Sequence, residues 1–276
     1  MKAVSEQVIL ITGSTDGLGK AVAMEFAKQG ATILLHGRNP EKGRAVLNEI
    51  QKATGSEKLS YYNADFSSLE EVQALADEVL DGNSKLDILI NNAGIGGDEQ
   101  KNTRELSKEG FELRFTVNYL ASFLLTMRLL PLLRKSVPSR IVNVASGGQQ
   151  AIDLNDVMME KNYSGSRAYA QSKLAQIMFT FKLAQELKDT EISINCLHPA
   201  SMMDTKLVRE GGGEPKTSVQ EGVDTVAYVA TSPDTEHTTG VYFDHHKPTK
   251  AEPQAYDSEA RDKLYELSLK LTGLTK

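Results

Sequence analysis

Tyr169 and Lys173 stand four residues apart in the run Tyr169-Ala170-Gln171-Ser172-Lys173. On a helix, that spacing stacks a phenol and an ammonium one turn apart on the same face. A free phenol titrates near about 10 and is a poor acid or base near neutrality, but an adjacent cation stabilises the phenolate and lowers that value. Tyr169 is thereby a candidate acid/base, with Lys173 as its support. Ser146, at the end of an apolar run, can orient a substrate oxygen and stabilise charge that develops on it. Each residue has a plainer alternative when taken alone: Tyr and Lys four apart occur by chance, and serines crowd strand ends.

A second group of residues could hold a ligand. Thr12-Gly13-Ser14-Thr15-Asp16-Gly17-Leu18-Gly19 lies between the first apolar run and the first helical segment. A pyrophosphate can rest on a helix N-terminus where backbone N–H groups are unpaired and no Cβ blocks the approach, so glycines are needed at such a turn. Glycines also close ordinary loops, and it is the position directly after an N-terminal strand that favours a dinucleotide. The second strand ends in His36-Gly37-Arg38. A carboxylate there would accept from an adenosine ribose 2′-OH, whereas an arginine pairs with a 2′-phosphate, so Arg38 favours NADP(H) over NAD(H). The alternative for Arg38 is a solvated surface charge. Asn91-Asn92-Ala93-Gly94 ends the fourth strand with residues that let the backbone approach a flat ligand, or simply form a turn. Asp65, followed by Phe66 after the third strand, is placed either to accept from an adenine amino group or to cap the helix that starts near Ser68.

The elements that must position these residues follow a regular alternation. Strands are expected at Val8 to Thr12, Thr32 to His36, Leu59 to Asn63, Leu86 to Asn91, Arg140 to Ala145, Ser193 to His198 and Val241 to Phe243. Most are almost wholly apolar, as strands covered on both faces are. Between them run helical stripes: Leu18, Val22 and Phe26; Leu69, Val72, Leu75, Ala76 and Val79; and Leu174, Ile177, Met178 and Phe181, all read as core. The pattern is that of repeated βαβ units: an α/β, single-domain, doubly wound (Rossmann) three-layer fold over residues 1–276, with a mostly parallel seven-stranded sheet. Two stretches, about 147–166 and 200–218, break the alternation after strands. Loops there form the ligand crevice of wound sheets, so both are candidate substrate rims. The tail from Asp257 to Leu274 reads as a charged amphipathic helix packed on the outside.

Composition narrows the function. A net charge of −6, with no basic cluster interleaved with aromatics, lacks the footprint of a nucleic-acid binder and leaves a small molecule as the expected partner. The single cysteine, Cys196, rules out an internal disulfide and a multi-cysteine metal site, and fits a reducing, cytoplasmic setting. Neither a secretion signal nor a membrane anchor is evident. The apolar run Tyr119 to Leu133 is interrupted by Ser122, Thr126 and Arg128 and falls short of the roughly 20 residues of a membrane helix.

Taken together, these residues resemble the short-chain dehydrogenase/reductase family over nearly the whole chain. The likeness lies in the Thr-Gly-x-x-x-Gly-x-Gly turn at Thr12 to Gly19, Asn-Asn-Ala-Gly at Asn91 to Gly94, Ser146 and Tyr-x-x-x-Lys at Tyr169 and Lys173. It also takes in Asn118 within Thr116-Val117-Asn118-Tyr119. The runs Val117 to Thr126 and Ser172 to Gln176 are most similar to retinol-dehydrogenase-like and carbonyl-reductase-like members.

The resemblance implies hydride transfer between a nicotinamide dinucleotide and a carbonyl/alcohol pair by a tetrad of Asn118, Ser146, Tyr169 and Lys173. Lys173 would bond the nicotinamide ribose and Asn118 would hold a water that links Lys173 to solvent. Asp65 would bind the adenine and Arg38 the 2′-phosphate, and Gly37 stands where NAD-preferring members carry aspartate. Where the family has Pro-Gly, this chain has Pro199-Ala200. Thr205 would contact the carboxamide, and Met202 and Met203 would wall an apolar substrate unless they are mere filler. Family members often pair through the helices expected near Glu105 to Leu133 and Arg167 to Leu187, which leaves a homo-oligomer open. The rival readings are an NAD(H)-dependent alcohol or steroid dehydrogenase and a non-catalytic NADP(H) sensor.

Overall fold

The computed structural model describes residues 2–96 and 103–274. Its strands are β1 (Val8–Ile11), β2 (Thr32–Gly37), β3 (Leu59–Asn63), β4 (Ile88–Asn91), β5 (Ser139–Val144), β6 (Ile192–His198), β7 (Tyr242–Asp244) and β8 (Lys247–Pro248). They form one sheet in the order β3-β2-β1-β4-β5-β6-β7-β8. All neighbours are parallel except the β7–β8 hairpin, whose two-residue final strand makes the sheet eight-stranded rather than seven. A strand that short, with a proline and both residues exposed, carries no alternating apolar pattern by which a sequence could reveal it.

The helices are α1 (Gly17–Lys28), α2 (Pro40–Thr54), α3 (Leu69–Gly82), α4 (Ala121–Lys135), α5 (Gly165–Glu186), α6 (Lys206–Glu210), α7 (Val219–Thr231) and α8 (Ser258–Leu271). Their starts are chemically marked. Asp16, Asn39, Ser68 and Ser164 each accept a first-turn N–H, and Ser218 with Glu221 forms a reciprocal capping box on α7. Every residue of β1 and β4 is buried, yet alternate side chains enter different cores. Leu10, Leu34 and Leu89 join the core under α3, α4, α5 and α8; Ile9, Ile11, Ile33, Ile88 and Ile90 join the one under α1, α2 and α7.

Two expectations about helices gain detail. A π-helical turn (Phe115–Leu120) runs straight into α4, so the apolar stretch is 21 residues long with a mean hydropathy of 1.3. By length and composition it could cross a membrane. It is instead 83% buried in the protein, as a core helix is. The tail helix α8 is not merely laid on the surface. Leu264 and Ser268 are almost fully buried, and the Tyr119 hydroxyl and Ser268 share a hydrogen bond of 2.7 Å. Tyr265 packs edge-on against Phe123, Lys182 of α5 pairs with Asp262, and Phe181 of α5 meets Tyr256 just before α8.

β1 pairs with both β2 and β4, so the winding reverses there and a crevice opens beyond their carboxyl ends. The residues discussed next surround it.

Candidate active site

The turn after β1 is held from two sides. The Ser14 hydroxyl accepts from the His36 N–H at 2.9 Å, and the Gly13 N–H donates to His36 Nδ1 at 3.2 Å. The opposite nitrogen of that imidazole, Nε2, bonds the Ala64 carbonyl at 3.1 Å, and the ring stacks on Phe66 with centroids 4.3 Å apart. Burial pushes His36 down to about 4, so it is a neutral crosslink between the turn, β2 and β3. From the β4 side, Asn92 Nδ2 donates to the carbonyls of Thr12 and Gly13, and the Thr12 hydroxyl accepts the N–H groups of Asn92 and Ala93. The glycines are required by these contacts. A Cβ on Gly19 would stand 2.3 Å from the Gly13 carbonyl oxygen, and Gly13, at φ +64, has Ala93 Cα 2.8 Å from where a Cβ would be.

Several residues expected at the ligand also serve the protein itself. Ser14 is fully buried and its hydroxyl is spent on β2. Asn92 ties the turn to β4. Asp65 does not cap the helix near Ser68, since Ser68 caps α3 itself; one Asp65 carboxylate oxygen accepts from the Ser67 N–H. Leu18 packs in the core, where its Cδ1 lies 3.0 Å from a Cβ built on Gly222. Met203 Sδ reaches the same spot at 2.4 Å, which makes Met203 core filler, and Met202 folds over Gly213.

Other groups remain turned to the crevice. Arg38 is exposed and makes no hydrogen bond or ion pair with the described residues. Beside it, the space a side chain at Gly37 would need is filled by Thr15, whose Cγ2 lies 2.6 Å from an added Cβ. At the start of α1, Asp16 takes the Gly17 N–H and its carbonyl takes the Lys20 N–H, while the N–H groups of Leu18 and Gly19 have no acceptor among the described residues. The segment after β6 crosses over this turn. Pro199 is buried, with its carbonyl bonded by Thr225, and Thr205 caps α6 while its methyl lies 3.5 Å from a Cβ built on Gly17. Leu207 lies equally close to Gly96. A bare turn, unpaired helix N–H groups and a free guanidinium fit a dinucleotide phosphate chain, whose residence would fall to Gly13 to Gly19 and Arg38.

The tetrad residues converge past the end of β5. Ser146 hydrogen-bonds Tyr169 and accepts the Gly148 N–H at 3.0 Å. Its carbonyl is clamped by Tyr242 Oη at 3.0 Å and Gln149 Nε2 at 2.9 Å. Lys173 Nζ lies 5.8 Å from the Tyr169 ring centroid and donates to the Val144 carbonyl and to Gln176 Oε1, each at 2.9 Å. Asn118 sits within the π-helical turn. Its side chain is engaged with both backbone groups of Ile95 and with the Ser172 hydroxyl, and its carbonyl accepts from Ser122. Gly94 leaves the space above this cluster open: a Cβ there would stand 3.2 Å from Asn118 Oδ1 and 3.5 Å from Lys173 Nζ.

The electrostatics depart from the simple picture of a cation that lowers a phenol. Burial drives the Tyr169 phenol above its ordinary value, and the Ser146 hydrogen bond opposes that rise. Burial also pushes Lys173 down to about 7, so the ammonium is only partly populated near neutrality. Phenol and amine are thus two groups between which one proton can be held or moved, under a serine able to bond a substrate oxygen.

Sequence reasoning missed the supports. Tyr242 and Gln149 reach Ser146 from β7 and from the loop after β5. Arg114 and Glu112, both nearly fully buried, form an ion pair of 3.6 Å. Arg114 also bonds the Gly96 carbonyl and Tyr163 Oη, which fastens the 147–164 segment beside the turn that carries Asn118. No spacing rule links residues about 50 apart, so only the fold could reveal this.

The short chain dehydrogenase family model matches residues 7–214. Human Retinol dehydrogenase 14 is 35% identical over 98% of this chain and 87% of its own length; human Retinol dehydrogenase 13 is 32% identical over 97% and 85%. Among solved structures, an uncharacterized protein from Mycobacterium paratuberculosis superposes with a TM-score of 0.81 at 28% identity, over 99% of this chain and 96% of that one. A short chain dehydrogenase from Escherichia coli CFT073 complexed with NADPH gives 0.69 at 29% identity, over 88% and 97%. With its wound sheet, its glycine turn and the Ser146–Tyr169–Lys173 cluster, the chain belongs to the short-chain dehydrogenase family of oxidoreductases and lies close to the retinol dehydrogenases.

Proposed function

We propose that this protein transfers a hydride between NADP(H) and a ketone, aldehyde or alcohol, with Tyr169 as the acid/base. The observation that carries the reading is the convergence of the Ser146 hydroxyl, the Tyr169 phenol and Lys173 Nζ at the carboxyl end of β5, opposite the glycine turn. The dinucleotide, when bound, supplies or accepts the hydride. The chain supplies the rest. Ser146 bonds the substrate oxygen in an orientation set by Tyr242 and Gln149 behind it. Tyr169 Oη gives its proton to that oxygen in the reductive direction and takes one in the oxidative direction. Lys173, fixed by Val144 and Gln176, stabilises the phenolate left behind.

Preference for the phosphorylated cofactor is supported by the exposed Arg38, free of protein partners, and by Thr15 filling the space where a carboxylate at position 37 would have to stand. The relatives named retinol dehydrogenases make an apolar primary alcohol or aldehyde such as a retinoid the first substrate to try. The test is to follow nicotinamide absorbance with NADPH and, separately, NADH against retinal, simple aldehydes, quinones and ketosteroids. Turnover of at least one carbonyl, with the larger kcat/KM for NADPH, is expected. Tight binding of NADPH without turnover of any carbonyl would overturn the reading in favour of a sensor.

A further inference from the structure

Gln176 stands one turn beyond Lys173 on α5 and is 1% exposed. Its Oε1 accepts from Lys173 Nζ at 2.9 Å, while its Nε2 is buried without a hydrogen-bond partner among the described residues. In this orientation Oε1 gives a Lys173 N–H the acceptor that the ammonium requires. A buried polar group left unpaired costs stability. What the amide provides here is an acceptor for Lys173.

The residue is also locked from behind. The Thr180 hydroxyl donates to the Gln176 carbonyl at 2.8 Å and accepts from Asn143 Nδ2 at 2.8 Å. Asn143 Oδ1 in turn accepts from Asn91 Nδ2, which also bonds the Thr126 hydroxyl. This line of buried polar side chains runs from α5 through β5 and β4 to α4. It fixes the level of the Gln176 backbone against the sheet.

From this geometry we infer that Gln176 is a positioning residue that, with the Val144 carbonyl, holds Lys173 ready to carry one exchangeable proton toward the crevice. An ammonium has three N–H groups. Two are taken by the Val144 and Gln176 oxygens, so the third is left for the side where Gly94 keeps the space open. Once that proton leaves, the two remaining N–H groups keep the same two acceptors and the lone pair occupies the vacated direction. Both protonation states are therefore satisfied without movement of the side chain. The inference rests on the reading of Tyr169 and Lys173 as the proton-handling pair.

Burial lowers the Lys173 value, and its printed hydrogen-bond acceptors are the Val144 carbonyl and Gln176 Oε1, neither of them a carboxylate. The titratable groups on this face of the sheet include Tyr169 of α5, Cys196 of β6 and Tyr242 of β7, with Tyr119 of the π-helical turn likewise raised by burial and the Arg114–Glu112 ion pair beside that turn. Burial raises the first three, so they are uncharged near neutrality. The facing parts of the π-helical turn and the β4 loop are the Asn118 amide and Gly94. Beside these neutral neighbours a single carbonyl dipole carries weight.

The test compares Gln176→Met, similar in shape but without the acceptor, with Gln176→Glu, the same shape with a charge. The Lys173 midpoint is read by ¹³Cε-lysine NMR on the ligand-free protein, its signal identified by loss in Lys173→Arg. Loss of the acceptor is expected to lower the midpoint by about one pH unit, and the carboxylate to raise it by about as much or more. Reductive kcat needs the proton, so its alkaline limb should follow the midpoint in both variants, with the carbonyl KM changed less than about twofold. A merely structural defect cannot move one property in opposite directions in two variants. Midpoints that stay put, or move together, overturn the inference; so does a kcat limb that ignores a moved midpoint. The NMR arm needs no turnover, so failure of the redox reading is read separately, in Tyr169→Phe.

Discussion

Acid should loosen this protein at one identifiable place, the His36 crosslink under the glycine turn. In the folded chain Nδ1 accepts the Gly13 N–H and Nε2 bonds the Ala64 carbonyl, inside a fully buried stack with Phe66. Protonation would turn Nδ1 into a donor facing a donor. The folded value of about 4 lies below the ordinary imidazole value of 6.5. The unfolded chain thus binds the proton first, and stability falls as pH drops through the window between those values. At one unit of pKa per 1.36 kcal/mol, the loss is about 2 kcal/mol by pH 5 and about 3 kcal/mol once the folded value is passed. For a chain of this size, 2 kcal/mol corresponds to a fall in Tm of roughly 4 °C. The assay is thermal unfolding between pH 7 and 4.5 for the wild type and for His36→Gln, which lacks the titration. The difference in Tm between the two should shrink by about that amount as pH falls to 5, and NADPH affinity should weaken over the same range in the wild type alone. Parallel Tm curves over the whole range would refute this account of the turn.

Three further predictions concern ligand choice, stability and assembly. Arg38→Ala should raise the KM for NADPH about tenfold, the low end for an exposed charge-assisted pair, and leave the KM for NADH within about twofold; steady-state kinetics with both cofactors decides this. Leu264→Ala in α8 should cost about 2–5 kcal/mol in denaturant unfolding, because the side chain is almost fully buried against the core. Because α8 lies on α5 within the same chain, sedimentation of the wild type should give a monomer.

Much of this architecture can be read from residue order, for definite physical reasons. β3, a partly exposed edge strand, falls at the expected residues, and the other parallel strands fall within two of theirs, most of them because buried parallel strands are nearly continuous apolar runs between turn residues. The glycine turn, and Tyr169 with Lys173, are legible because each depends on local spacing. What escaped depends on contact across the sheet. His36 looks like any polar residue at a strand end until β3 brings Ala64 against it. Tyr242 reads as an ordinary strand aromatic, although its hydroxyl clamps Ser146 from 96 residues away. The direction in which Tyr169 shifts was misjudged because a helical wheel shows the neighbouring cation but not the burial that depletes its charge.

The central claim is that Tyr169 Oη is the group that exchanges a proton with the substrate oxygen. Tyr169→Phe removes that oxygen alone. With NADPH binding followed by fluorescence and hydride transfer by single-turnover absorbance, the variant is expected to bind the cofactor within about threefold of the wild type. The transfer rate should fall by at least about a hundredfold. Transfer at the wild-type rate in a variant that binds NADPH normally would contradict the account.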